Sequence, residues 1–386
     1  MSTRRIVEIG IPWHEIECRR RRLEAVERFE YLDRVPVVPG IAERYWLAAW
    51  GKTWSELTES PERMLEWKVQ AHKWVLENLP GDITGVGISA SPYSFYGESY
   101  GLGCELGFDD LTPWIASHPI RSDADLGRLE AIDAVDNRYT AEILSWKAAM
   151  EHRLGDYVFR YADGVSKDLP ERLSSGWGSI GIFTLAADLA GPELYVDLYA
   201  RPEWSHRLLD IVTDKVIDRY RWLQAENGGR SHGTYLVDDS SGNLSPKLYR
   251  EFVYPRVQRV LDVVGRPLRI HIDAPANHLL PLYAELGVED FPGFGWGTSL
   301  EQVRRYLGGR ATLRGNLSIA MLHTGTPSEV YAAATRVLQI LAPCGGLTLT
   351  EGANMAPHTP IDNMQAMLRA AQDYGLPVST PKEACA

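Results

Sequence analysis

Short runs of aliphatic and β-branched residues alternate along the chain with longer stretches in which apolar positions recur every three to four residues. The short runs, at residues 35–38, 83–88, 178–183, 234–237, 268–271, 288–291, 312–316 and 347–350, read as strands, each ending near Gly, Asp, Asn or Ser. The longer stretches predict helices over 61–79, 203–226, 246–264, 277–286, 299–307, 328–341 and 361–374. Several open on Ser60-Pro61, Ser245-Pro246, Thr326-Pro327 or Thr359-Pro360. These pairs place a capping hydroxyl or a proline in the first turn, where a missing N–H has no helical partner to lose.

Strands alternating with helices define the α/β class and close most simply as a single (β/α)₈ TIM barrel. On this reading residues 1–386 form one domain, with an N-terminal helical extension over about 1–33 and an insertion after strand two at about 93–168. An open doubly wound sheet would carry a glycine-rich phosphate turn after its first strand, and neither GxGxxG nor GxxxxGKS/T occurs. No low-complexity linker or short repeat divides the chain.

Composition narrows the class further. In 386 residues, 45% hydrophobic and 24% charged positions exclude a disordered chain and allow a large core. A formal charge of -11 argues against nucleic acid as partner. The run Arg19 to Arg22 is framed by Glu15, Glu17, Glu24 and Glu27 and reads as a solvated helix face. Cys18, Cys104, Cys344 and Cys385 lie far apart, in no pattern of a zinc knuckle or disulfide framework. That spacing, an N-terminus without an apolar signal core and the lack of a membrane-length apolar stretch lead to the expectation of a soluble cytoplasmic protein with no membrane partner.

A barrel places its chemistry at the carboxyl ends of its strands, so polar groups there are the candidates. The strand at 234–237 runs into Asp238 and Asp239, two adjacent carboxylates suited to acid, base or cation-anchoring roles. The next strand ends in His271-Ile272-Asp273, whose two polar side chains project from the same side of an extended chain and can converge on one ligand, proton or metal. Further on, Asn316 and Glu351 end their strands. His271, Asp273, Asp239 and Asp238 are thus the catalytic candidates. Arg44, Glu351, Asn316, Trp296 and His278 are the substrate-binding ones, and His271, Asp273 and Glu351 the possible metal ligands.

The order of motifs resembles the uroporphyrinogen decarboxylase superfamily, which includes the decarboxylases and the methylcobamide:thiol methyltransferases. The resemblance rests on Arg34-Val35-Pro36-Val37, Glu98-Ser99-Tyr100-Gly101, Thr184-Leu185 with Gly191, and Asp238-Asp239 through Ser245-Pro246-Lys247-Leu248-Tyr249. It continues through His271, Leu313-Arg314-Gly315-Asn316-Leu317, Thr326-Pro327-Ser328-Glu329 and Thr359-Pro360-Ile361-Asp362-Asn363. It implies a (β/α)₈ barrel, a small carboxylate substrate and, for the methyltransferase branch, a corrinoid protein partner; homodimers are common in the family.

The functional positions diverge from both branches. The decarboxylases' essential aspartate falls near Pro92, their tyrosine on Asp188, their serine on Asp239 and their last-loop histidine on Ala353. The methyltransferases' zinc-binding His-x-Cys pair reads His271-Ile272-Asp273, and their later cysteine is again Ala353. The resemblance therefore implies an enzyme acting on a small organic acid, by cofactor-free decarboxylation or related acid–base chemistry. A corrinoid-linked methyltransferase with a non-thiolate divalent metal and a non-catalytic ligand-binding barrel are the alternatives.

Overall fold

The computed structural model describes residues 4–169, 173 and 178–376. Its centre is a parallel sheet in the order Leu347–Glu351, Thr312–Leu317, Asp290–Phe291, Leu268–His271, Thr234–Val237. Single bridges extend it on both sides, Val37 to Leu349 and Ser179 to Leu236. The Asp82 N–H donates to the Val37 carbonyl at 2.6 Å and so lays the segment after Asp82 beside the first bridge. Among the described residues no pairing joins residues 83–88 to Ser179.

Three of the expected strands are therefore reduced to isolated contacts, for local reasons. Pro36 and Pro39 flank Val37 and remove two N–H donors from any ladder there. Gly85 adopts φ 119°, which breaks an extended run. The 178–183 run turns at Gly181 (φ 96°) straight into the helix Ile182–Ala190.

The outer face of the sheet is covered by helices, chiefly Pro202–Glu226, Tyr254–Val264, Leu300–Leu307, Pro327–Leu341 and Ile361–Tyr374. Ser60, Ser245 and Thr326 accept hydrogen bonds at helix N-termini, as their pairs with proline predict, and Ser299 does the same without a proline. Thr359, by contrast, donates back to the Ala356 carbonyl, and Pro360 itself stands at the N-cap of Ile361–Tyr374. The helix expected from 246 to 264 is continuous but passes through a π-turn at Tyr249–Val253 just ahead of Pro255, whose lack of an N–H would otherwise leave a gap in the ladder. The helix expected from 277 starts only at Leu280, with Pro281 in its first turn.

The N-terminal region departs from the expected helical extension. Arg5–Ile9 is a strand, with Val7 and Ile9 buried, and only Trp13–Val26 is helical. The strand pairs in parallel with Tyr157–Tyr161, which pairs antiparallel with Ser166–Asp168. Val7, Ile9, Trp46, Val69, Phe159 and Tyr161 belong to a second hydrophobic core that joins this sheet to the helices Glu43–Trp50 and Pro61–Asn78. Cys18 is an exposed and Cys104 a buried free thiol. No helix of the described residues is long and apolar enough to cross a membrane.

Candidate active site

After His271 the chain stays extended, its Ile272 N–H donating to the Gly293 carbonyl at 3.0 Å. His271 and Asp273 consequently leave the strand end on one side, with His271 Nε2 2.9 Å from Asp273 Oδ1. From the neighbouring strand end, Asp239 Oδ1 accepts a hydrogen bond from the Asp273 backbone N–H at 2.6 Å. One ligand atom from each of Asp239, His271 and Asp273 then lies within 4.8 Å of the others. Asp273 Oδ1 is shielded from water yet receives no aligned hydrogen bond.

The opposite wall is built by glycine. A Cβ on Gly293 would stand 2.2 Å from His271 Nδ1, and one on Gly295 would stand 2.0 Å from the Asp273 carbonyl oxygen. Between them Phe294 stacks on Phe291 with ring centroids 5.0 Å apart and fixes the loop.

Electrostatics follow from this packing. Burial alone would lower the His271 pKa, but the carboxylates of Asp273 and Asp239 outweigh it and hold the value above the ordinary histidine range. Burial and the like charge of Asp273 raise the Asp239 pKa, and His271 opposes them.

Asp238 does not join its neighbour. Its Oδ1 accepts hydrogen bonds from the N–H groups of Phe183 (3.1 Å) and Thr184 (2.9 Å) and from the Thr184 hydroxyl (3.2 Å), so it caps the helix Ile182–Ala190. Burial pushes its pKa up to about 6. Glu351 is likewise held away from the cluster: its carboxylate accepts the Gly40 N–H at 2.9 and 3.2 Å and the Thr350 hydroxyl at 2.9 Å. Burial pushes it up to about 7. It is absent from the group that gathers around His271.

The remaining candidates divide in the same way. The Asn316 amide donates to the carbonyls of Thr298 (3.1 Å) and Gly295 (3.4 Å) and braces the loop beneath Asp273. His278 Nε2 lies 2.9 Å from the Leu244 carbonyl and ties two rim loops together. Trp296 is half exposed on the rim. Arg44 sits on the helix Glu43–Trp50, which is fixed by the pair Lys68–Glu43 at 3.0 Å and by Lys68 to Ser89 at 2.7 Å. The Arg44 Nε is buried without a hydrogen bond. Arg44, Asp188 and Asp239 all act on the Tyr96 hydroxyl, so these four side chains share one neighbourhood.

Tyr96, Asp188 and the Gly293/Gly295 wall were not among the candidates. Asp188 accepts the Ser99 hydroxyl at 2.6 Å, and burial pushes its pKa up to about 6. Its place after the Thr184-Leu185 motif was a usable signal. Tyr96 offered none, and the two glycines showed only as a Gly-Phe-Gly sequence whose partner is a histidine twenty-odd residues away.

A parallel sheet covered by helices, with a His and carboxylate cluster at its strand ends, defines an α/β protein with its polar groups gathered where such folds place their sites. The family model for uroporphyrinogen decarboxylase (URO-D) matches residues 19–374, and the chain belongs to this family. Its relatives come from two branches. A uroporphyrinogen decarboxylase of Coxiella burnetii is 27% identical over 290 residues, covering 72% of this chain and 75% of that protein. A methylcobamide:CoM methyltransferase of Methanosarcina barkeri is 26% identical over 376 residues, covering 93% and 99%. Among solved structures, a methyltransferase from Methanosarcina mazei superposes with a TM-score of 0.65 at 22% identity, covering 93% of this chain and 98% of that one, and it establishes the fold as TIM-barrel type.

Proposed function

We propose that this protein is a metal-dependent methyltransferase of the URO-D superfamily, moving a methyl group between a methylcobamide and a small acceptor at the mouth formed by Asp239, His271 and Asp273. The observation that carries the proposal is the convergence of these three donors within 4.8 Å. Two carboxylates and one neutral imidazole carry a charge of minus two, which a divalent cation would neutralise, and the oxygen-rich set suits a harder ion than the thiolate sites of the methyltransferase relatives resembled above. When bound, such an ion supplies Lewis-acid activation of the acceptor atom. The protein's own part is positional. Gly293 leaves room for the imidazole, the Asp273 N–H orients Asp239, and Tyr96 lies within electrostatic reach of both Arg44 and Asp239. The near full-length match to the methylcobamide:CoM methyltransferase supports this branch and, with it, a corrinoid protein as partner.

A second reading has one specific observation in its favour. The His271–Asp273 pair at 2.9 Å, whose carboxylate favours the imidazolium, suits His271 to donate a proton, as metal-free decarboxylation of a small organic acid requires. The experiment that separates the two follows the absorbance of methylcobalamin with purified protein, added divalent metal and a panel of small thiol, amine and carboxylate acceptors. Methyl transfer predicts acceptor-dependent loss of methylcobalamin that Asp239→Ala abolishes. No loss with any acceptor, together with CO₂ release from an organic acid that survives a chelator, would reject it in favour of the acid–base reading.

A further inference from the structure

The inner face of the sheet carries a second set of charges below the His271 cluster. On the strands Thr234–Val237 and Leu268–His271 the residues facing the helices, Thr234, Leu236, Leu268 and Ile270, are buried. Their inward-facing neighbours Tyr235, Arg269 and His271 are only partly buried. On Thr312–Leu317 the contrast is sharper: Leu313 and Gly315 are buried, and the Arg314 side chain between them is 47% exposed. Water therefore reaches the inner face at this depth, where a filled barrel would be dry.

The register places Tyr235, Arg269, Asp290 and Thr312 in one layer and Arg314 two residues further along, level with His271, from where its guanidinium reaches back to Asp290. Tyr235 pairs with Arg269, Arg269 with Asp290, and Asp290 with Thr312, two residues before Arg314. Arg269 is two residues before His271, a rise of about 7 Å along the strand. Arg269 Nε and Arg314 Nη2 each lie 3.4 Å from the same Asp290 Oδ2, while Asp290 Oδ1 accepts the Thr312 hydroxyl at 2.7 Å. Arg269 is further held by the His232 carbonyl. Two guanidinium groups thus share one carboxylate, and the more exposed of the two carries the excess positive charge. The Tyr235 hydroxyl lies within electrostatic reach of Arg314 and Asp290 and also of Asp239 and Asp273.

We propose that Arg314 binds the carboxylate of the substrate whose reacting group lies at Asp239, His271 and Asp273. The proposal rests on the reading that chemistry occurs at that cluster and adds the residue that holds the anionic end of the substrate. A monoanionic, planar carboxylate matches a guanidinium fork with one uncompensated charge.

The test is isothermal titration of the full-length protein with butyrate, with butyramide as the uncharged control, before and after treatment with EDTA. Saturable butyrate binding is expected with and without EDTA, and none is expected for butyramide. Arg314→Gln should weaken the binding at least tenfold, and Arg314→Lys, which keeps the charge and loses the fork, should fall between. Butyrate binding that is absent from the wild type, equal in Arg314→Gln, or removed by EDTA would overturn the assignment. Butyrate binding that persists while methylcobalamin is never consumed would overturn only the methyl-transfer reading.

Discussion

Where the strand Thr234–Val237 ends, the chain turns so that Asp238 enters the first turn of the helix Ile182–Ala190 while Asp239 faces His271 and Asp273 across the mouth. Asp238 and Glu351 are buried and take up backbone N–H groups, from Phe183 and Thr184 in one case and Gly40 in the other. Asp239 and Asp273 are partly open and face a histidine. The contrast shows how a rim sorts identical functional groups. Asp238 Oδ2 and Asp273 Oδ1 are both shielded without a hydrogen bond, but only Asp273 gathers with other donor groups. A carboxylate enclosed among backbone donors thus holds the rim together, and one that converges with Asp239 and His271 is available to a ligand.

Substitutions on the two sides should therefore fail differently. Asp238→Ala strips three donors of their acceptor in a buried setting and should cost about 3 kcal/mol. Asp239→Ala should cost less than about 1 kcal/mol and remove ligand binding instead. Urea denaturation of both variants checks the pair, and equal losses of stability would dissolve the distinction.

Gly293→Ala sharpens the comparison on the mouth side. Its Cβ would collide with His271 Nδ1, so the ring or the loop must shift. A loss of about 1–3 kcal/mol is expected, with divalent-cation affinity reduced roughly tenfold or more as the imidazole leaves its place. Unchanged affinity would mean that His271 is not a ligand.

The smallest effect concerns the buried side and pH. Burial raises the Glu351 pKa from 4.5 to about 7, so the folded state binds the proton more tightly than the unfolded chain. The sign follows: between about pH 4.5 and 7 the native state holds more protons, and this group's contribution to stability declines as pH rises. Glu351→Gln should lose that slope, so the stability of the wild type relative to the variant should fall across this window. A difference that rises with pH would contradict the assignment of Glu351 as a buried, protonatable brace.

Much of this was legible in the chain. The strands at 234–237, 268–271, 312–316 and 347–350 and most of the helices follow from periodicity and from Ser/Thr-Pro starts, because each depends on local pattern. His271 and Asp273 were visible because two-residue spacing on a strand fixes their common side. What escaped depends on residues far apart in sequence. That Asp238 caps a helix starting fifty-odd residues earlier cannot be read from the Asp-Asp pair, nor can the hold of Gly40 on Glu351, which spans 311 residues. The N-terminal strand was lost for a similar reason, since Arg5–Ile9 is short and its partner, Tyr157–Tyr161, lies 152 positions on.

The most direct test of the central claim is calorimetric titration of the metal-free protein with cobalt(II), read in parallel by its visible absorption, for wild type, Asp238→Asn, Asp239→Ala and His271→Ala. One equivalent should bind to the wild type and to Asp238→Asn with similar affinity, and binding to Asp239→Ala and His271→Ala should be at least a hundredfold weaker. No binding to the wild type, or equal binding to all four, would contradict a cation held by Asp239, His271 and Asp273.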